Sequence, residues 1–176
     1  MSNKTKLWVG VAGGILAVSI GGAQWTQERE GTVLKPYYDS GKVATIGTGT
    51  TVYPSGQKVK ITDPAITKKQ ATEFLQYHMK GDAVALNHSL KGVKLSQDEY
   101  DVYADFVYQY GRNTWSNSSM LRNLKQGKYI QACNSLLSYK YITKNGKKVD
   151  CSIAANKCSG VWTWQVKRNK KCLGAN

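Results

Sequence analysis

The sequence predicts an α+β fold in one unit, with a small antiparallel sheet near the front and helices behind it. Three observations predict it. Between positions 41 and 61, β-branched residues are broken by Gly47, Gly49 and a Pro54-Ser55-Gly56 turn, the pattern of short strands joined by tight turns. Beyond Pro64 the punctuation becomes helical, with two capping boxes opening long stretches. After about Gln24 no internal repeat or low-complexity linker divides the chain, and 176 residues are about one domain's worth.

Thr67 with Gln70 opens the first long helix, expected to run through about Asn87. Ser96 with Glu99 opens the second, which runs to about Tyr110 and stops at Gly111. Within it Tyr100, Tyr103, Phe106, Val107 and Tyr110 recur at helical spacing, so they form a core stripe. Shorter helices are expected over 119–126, ended by Gly127, then over 129–138, and from 160 toward 172. The stretch 139–158 reads as a loop or irregular hairpin.

The 25 basic and 11 acidic side chains leave a formal charge of +14, which points to an anionic partner: nucleic acid, membrane or wall polymer. A nucleic-acid reader is disfavoured, because the basic residues are spread along the chain and no groove-reading motif accompanies them. No cofactor is indicated. A zinc site fails on spacing: there is no C-x2-C pair, and His78 and His88 lie far from the cysteines, so both histidines are expected on a helix surface.

From Leu7 to Gln27 there are 21 residues without a formal charge, preceded by Lys4 and Lys6. That length just reaches the roughly 20 residues a membrane-crossing helix needs, and the lysines keep the N-terminus inside. Glycines at 10, 13, 14, 21 and 22, with Ser19, weaken its hold on lipid. Three readings follow: a signal peptide cleaved after Ala23, a permanent anchor, or a segment that inserts and later escapes. Residues 1–24 are therefore set apart from a catalytic domain at 25–176.

Cysteines at 133, 151, 158 and 172, an even count behind an export-like N-terminus, argue for two disulfides outside the cytoplasm. Three pairings are possible. The favoured one joins Cys151 to Cys158, closing a short loop, and Cys133 to Cys172, pinning the C-terminus to a preceding helix.

The informative chemistry lies between positions 30 and 51, which are expected to begin on a short helix and enter the first strand. Glu30, Asp39 and Thr45 fall there. Glycoside hydrolysis needs one protonated carboxyl to donate to the leaving oxygen and one ionised carboxylate near the anomeric carbon, so a Glu and Asp pair is the right equipment. The offsets alone are weak, and Asp39-Ser40-Gly41 is also an ordinary turn former.

The flanks add weight. E-G-x-x-L-x-x-Y-x-D followed by T-I-G-x-G resembles the T4-type phage lysozyme (endolysin) family of glycoside hydrolases, with Glu30, Gly31, Leu34, Tyr37, Asp39, Gly41, Thr45, Ile46, Gly47 and Gly49 on its pattern. Positions 95–129 resemble the family's central helix and following turn. The resemblance implies a lysozyme-like fold, a small sheet lobe beside a mainly helical one. It also implies an inverting hydrolysis of the β-1,4 bond between N-acetylmuramic acid and N-acetylglucosamine in peptidoglycan, by a monomer that lyses the host cell. By position Glu30 would donate the proton, Asp39 and Thr45 would hold the attacking water, and Tyr108 and Ser118 would approach the sugar. Inversion requires the carboxyls roughly 6.5–9.5 Å apart.

Two departures stand out. Thr50 takes a place where the family commonly has histidine, and Trp164 and Gln165 stand where it often has an arginine pair, one of which is expected to meet the catalytic glutamate. Lys167 and Arg168 are the nearest substitutes. The N-terminus is similar to a signal-arrest-release segment, which implies export to the periplasm, tethering at the inner membrane and later release. The competing reading is a catalytically weak or inactive cationic protein that binds wall or membrane on the same fold.

Overall fold

The computed structural model describes residues 5–9 and 16–174; Gly10, Gly13 and Gly14 lie outside them. The chain opens with a two-residue strand, β1 (Leu7–Trp8), and Val9 beyond it is fully buried. Leu16 and Val18 are also buried, and Ser19 caps α1 (Ile20–Glu30), its hydroxyl accepting from the Gly22 amide at 2.9 Å. The helix thus crosses the position 24/25 boundary without a break and ends where Gly31 turns the chain out at φ +80°. Among the described residues no helix is long and apolar enough to cross a membrane.

The sheet starts earlier than its β-branched pattern predicts. β2 (Val33–Tyr38) pairs antiparallel with β3 (Ala44–Gly47), Val33 opposite Gly47 and Tyr37 opposite Thr45. Register slips between Val33 and Tyr37, where Pro36 has no N–H to give to the ladder. Single bridges, Ile46 to Thr50 and Val52 to Lys58, extend the lobe, and Gly56 closes the Pro54-Ser55-Gly56 turn at φ +86°.

Both capping boxes form. Thr67 and Gln70 open α2 (Lys68–Ser89). A short β4 (Lys94–Leu95) pairs with β1, and Ser96 and Glu99 open α3 (Gln97–Ser116). Gly111 leaves the helical region at φ +81°, but the turns resume after it, so the helix kinks where a stop was expected. α4 (Ser119–Lys125) and α5 (Tyr129–Ser135) follow, the latter tightening to a 3₁₀ turn over Leu136–Ser138. Asn145 and Gly146, both at positive φ, make a two-residue turn between β5 (Tyr141–Lys144) and β6 (Lys147–Asp150), so where a loop or irregular hairpin was expected the hairpin is regular. α6 (Ser159–Leu173) closes the fold.

α3 is the hub. Every residue from position 99 to 107 is buried, the mark of a helix surrounded on all sides. Its aromatic stripe packs with Leu75, Met79 and Leu86 of α2, Met120 and Leu124 of α4, and the buried Cys133–Cys172 disulfide. A second disulfide joins Cys151 to Cys158. The helix also carries three buried acids, and each has partners: Glu99 with Lys6, Asp101 with Ser19, Asp105 with two arginines.

Candidate active site

Glu30 is the last residue of α1, delivered to the junction between the helical hub and the β2–β3 hairpin. There it lines a cleft of about 430 Å³ with Thr32, Tyr37, Thr48 and Tyr108. Its side chain keeps 37% of its surface, enough for a substrate to reach it. Tyr108 rises from α3 and donates to the Thr48 carbonyl at 3.4 Å. Burial pushes the Tyr108 phenol above its ordinary range, and the Glu30 carboxylate adds to the effect.

Glu30 is ion-paired with Arg29, its neighbour in the chain. This corrects the expectation that Lys167 or Arg168 substitutes for the missing arginine: Lys167 lies over the Trp164 ring at 4.1 Å, and Arg168 is turned inward onto Asp105. Trp164 meets Trp25 edge to face at 5.7 Å, and Gln165 donates to the Tyr110 hydroxyl at 2.6 Å, so neither replacement faces the glutamate. Behind Arg29 runs a buried polar chain. Arg29 Nη2 is 2.9 Å from Asp105 Oδ1, which also accepts from Thr26 Oγ1 at 2.8 Å. Arg168 holds Asp105 Oδ2 through Nε at 2.8 Å and Nη2 at 2.5 Å. Two cations and two carboxylates alternate, which satisfies the charge balance that burial demands.

Asp39 sits at the hairpin turn, half-buried, and its Oδ1 accepts from the Gly41 and Val43 amides at 2.8 and 2.9 Å. Both bonds fall on one oxygen, which orients the other. Thr45, only 2% exposed, donates to the Val43 carbonyl at 3.0 Å. Directly opposite Tyr37 in the ladder, it shares that residue's face of the hairpin. Glu30, Tyr37 and Tyr108 therefore meet at one cleft, with Asp39 and Thr45 on the hairpin that walls it but outside its lining. Ser118 is elsewhere: buried, it caps α4 by accepting from the Leu121 amide at 3.1 Å. Thr50 is buried with its hydroxyl unpartnered among the described residues.

His78 and His88 lie on the exposed side of α2, and among the described residues no three metal-ligating side chains come together. The residues that sequence reasoning missed are Thr26, Arg29 and Asp105. The local signal was partial: positions 26, 29 and 30 share one helix end, but nothing near position 105 marks its carboxylate as their partner.

The chain matches the phage lysozyme family over residues 27–157. It is 30% identical to the endolysin of Salmonella phage P22 over 136 residues, 77% of this chain and 90% of that one. Among solved structures, a P22 lysozyme variant superposes with a TM-score of 0.73 at 25% identity, covering 90% of this chain and 99% of that one. The endolysin of Escherichia coli O157:H7 phage FAHEc1 gives a TM-score of 0.74 at 24% identity, over 93% and 97%, a likeness of fold.

Proposed function

The chain belongs to the phage lysozyme family and is a muramidase that cuts peptidoglycan, and from that premise we propose that Glu30, Asp39 and Thr45 carry the hydrolysis with inversion. Glu30 gives its proton to the glycosidic oxygen as the bond from C1 to that oxygen breaks. Asp39, with the Thr45 hydroxyl, takes a proton from the water that attacks C1 from the opposite face. The carrying observation is that α1 ends with Glu30 in a cleft walled by the hairpin that bears the other two. Support for Asp39 as the water-holding group comes from its two backbone amides, which fix one oxygen and leave the other for solvent. Tyr108 is the aromatic we place against the sugar. Ser118, with its hydroxyl occupied at the α4 cap, is the weaker candidate.

The test is turnover of purified peptidoglycan by wild type and Glu30→Gln. General acid catalysis contributes roughly 10²–10⁴-fold, so the variant should fall by that order. Equal lysis by both proteins would refute the assignment.

Residues 1–24 act, in the same reading, as an anchor that holds a monomeric enzyme on the inner membrane and then releases it to the periplasm. Support comes from where the segment's residues lie off the membrane: Leu16, Val18 and Ala23 are core residues. Gln76, Asn87 and Gln97 each donate a side-chain amide to its backbone carbonyls, at 2.7, 2.8 and 2.8 Å. The uncleaved chain should move from the membrane to the soluble fraction on depolarisation. A soluble species beginning at Gln24 in energised cells would sink the idea.

A further inference from the structure

Neighbours in an α-helix point about 100° apart and do not ordinarily face each other. Arg29 and Glu30 are such neighbours, yet they are paired. Two features make the contact. The helix ends at Glu30, with Gly31 at φ +80° freeing the last side chain from the helical direction, and the far side of the Arg29 guanidinium is fastened to Asp105. Nη1 goes to Glu30 and Nη2 to Asp105, so one guanidinium spans two carboxylates. The Arg29 side chain is 6% exposed and Asp105 1%, so neither has water as an alternative partner. Asp105 is itself fixed from three sides: Arg168 of α6 on one oxygen, and Thr26 and Arg29 of α1 on the other.

We propose that Asp105 is a positioning residue of the hydrolase, acting through Arg29 to fix the attitude of the Glu30 carboxyl, with Arg168 as the cation that keeps Asp105 in place. The inference rests on Glu30 being the proton donor. A helix-terminal glutamate open to solvent on one side would otherwise sample several rotamers, and a proton donor must meet the leaving oxygen within a few tenths of an ångström. Misplacement by about 1 Å costs on the order of 10²-fold in rate. The arrangement also places the missing cation: a neighbour of the glutamate fills the role that the C-terminal helix does not, and that helix sets its own cation, Arg168, one step further back, on Asp105.

The experiment measures kcat and KM on soluble peptidoglycan fragments, alongside thermal unfolding, for Arg29→Gln, Arg29→Lys, Asp105→Asn, Asp105→Glu and the double variant R29Q/D105N. Arg29→Gln leaves Asp105 with Arg168 and Thr26. It should lower kcat by roughly 10- to 100-fold with KM within about twofold when assayed below its own unfolding midpoint, which loss of a buried cation lowers. Arg29→Lys should recover part of the loss. Asp105→Asn should lower kcat in the wild-type background and add nothing in the Arg29→Gln background, because the two act as one unit. Asp105→Glu keeps the charges balanced but displaces the carboxylate, and should also lose kcat. The proposal is overturned by wild-type kcat in Arg29→Gln, by an undiminished Asp105→Asn effect when Arg29 is already replaced, or by wild-type kcat in Asp105→Glu. If Glu30→Gln is inactive and Arg29→Gln is not, only this inference fails. If Glu30→Gln is active, the assignment of the proton donor fails with it.

Discussion

A β-carbon on Gly22 would stand 2.5 Å from Cγ of Asp101, closer than side chains approach. Gly22 belongs to the apolar N-terminal segment and Asp101 to the central helix α3, so the missing side chain is what lets α1 lie against α3. Ser19 completes the contact, giving its amide at 3.0 Å and its hydroxyl at 2.5 Å to the same carboxylate. Gly22→Ala ordinarily favours a helix by up to about 1 kcal/mol. Here overpacking against a buried carboxylate reverses the sign, and a net loss of about 1–3 kcal/mol in urea unfolding is expected, with lower lytic activity. An unchanged midpoint would show that α1 has room to shift.

Burial raises the Asp101 carboxyl above its ordinary value, and the hydrogen bonds from Ser19 and Gln97 and the charge of Lys171 only partly oppose this. With the folded value above the unfolded one, the folded state binds the extra proton in the window between them. Stability attributable to Asp101 is therefore present below the unfolded value and is lost as pH rises through the folded one. Asp101→Asn removes that dependence. In urea unfolding at a series of pH values, the wild type should gain on the variant as pH falls from neutral through this window. A constant difference across the series would count against the raised value.

Helix starts were legible because they are local: Thr67 with Gln70 and Ser96 with Glu99 write their hydrogen bonds into four consecutive residues. The hairpin carrying Asp39 and Thr45 was legible from its flanks, but its first strand was not, because Pro36 and the register slip interrupt the alternation that marks a strand. The buried acids of α3 were hidden for a different reason. Asp101 and Asp105 look like solvated positions on a helix unless the partners at 19, 26, 29 and 168 are known, and these lie between 63 and 82 residues away. Long-range pairing of that kind leaves no periodic trace, and nothing local marks Arg29 as the link between Glu30 and Asp105.

The two disulfides should differ in weight. Cys133–Cys172 closes 39 residues and sits in the core, whereas Cys151–Cys158 closes 7 at the base of the β5–β6 hairpin. Chain entropy assigns about 4 kcal/mol to the longer loop and about 2 kcal/mol to the shorter. Replacing Cys133 and Cys172 together by alanine should therefore lower the unfolding free energy by more than replacing the other pair. Denaturant titration of the two double variants decides it, and the reverse order would mean that the hairpin, not the core, depends on its bridge.

Of the two hairpin residues, Asp39 offers the cleaner separation of chemistry from folding. The two amides that hold Asp39 require one acceptor oxygen, and asparagine keeps it. Asp39→Asn should therefore fold with nearly the wild-type unfolding temperature while, under the proposed assignment, losing the base that draws a proton from water, a fall of roughly 10²–10⁴-fold in turnover of purified wall. Thr45→Val removes the hydroxyl from a site that is 2% exposed and cuts its bond to the Val43 carbonyl, so it should cost about 1 kcal/mol of stability as well as activity. If Asp39→Asn retains full turnover at unchanged stability, the attacking water is held by another group. The hairpin would then owe its place beside Glu30 to Tyr37 and the shape of the cleft alone.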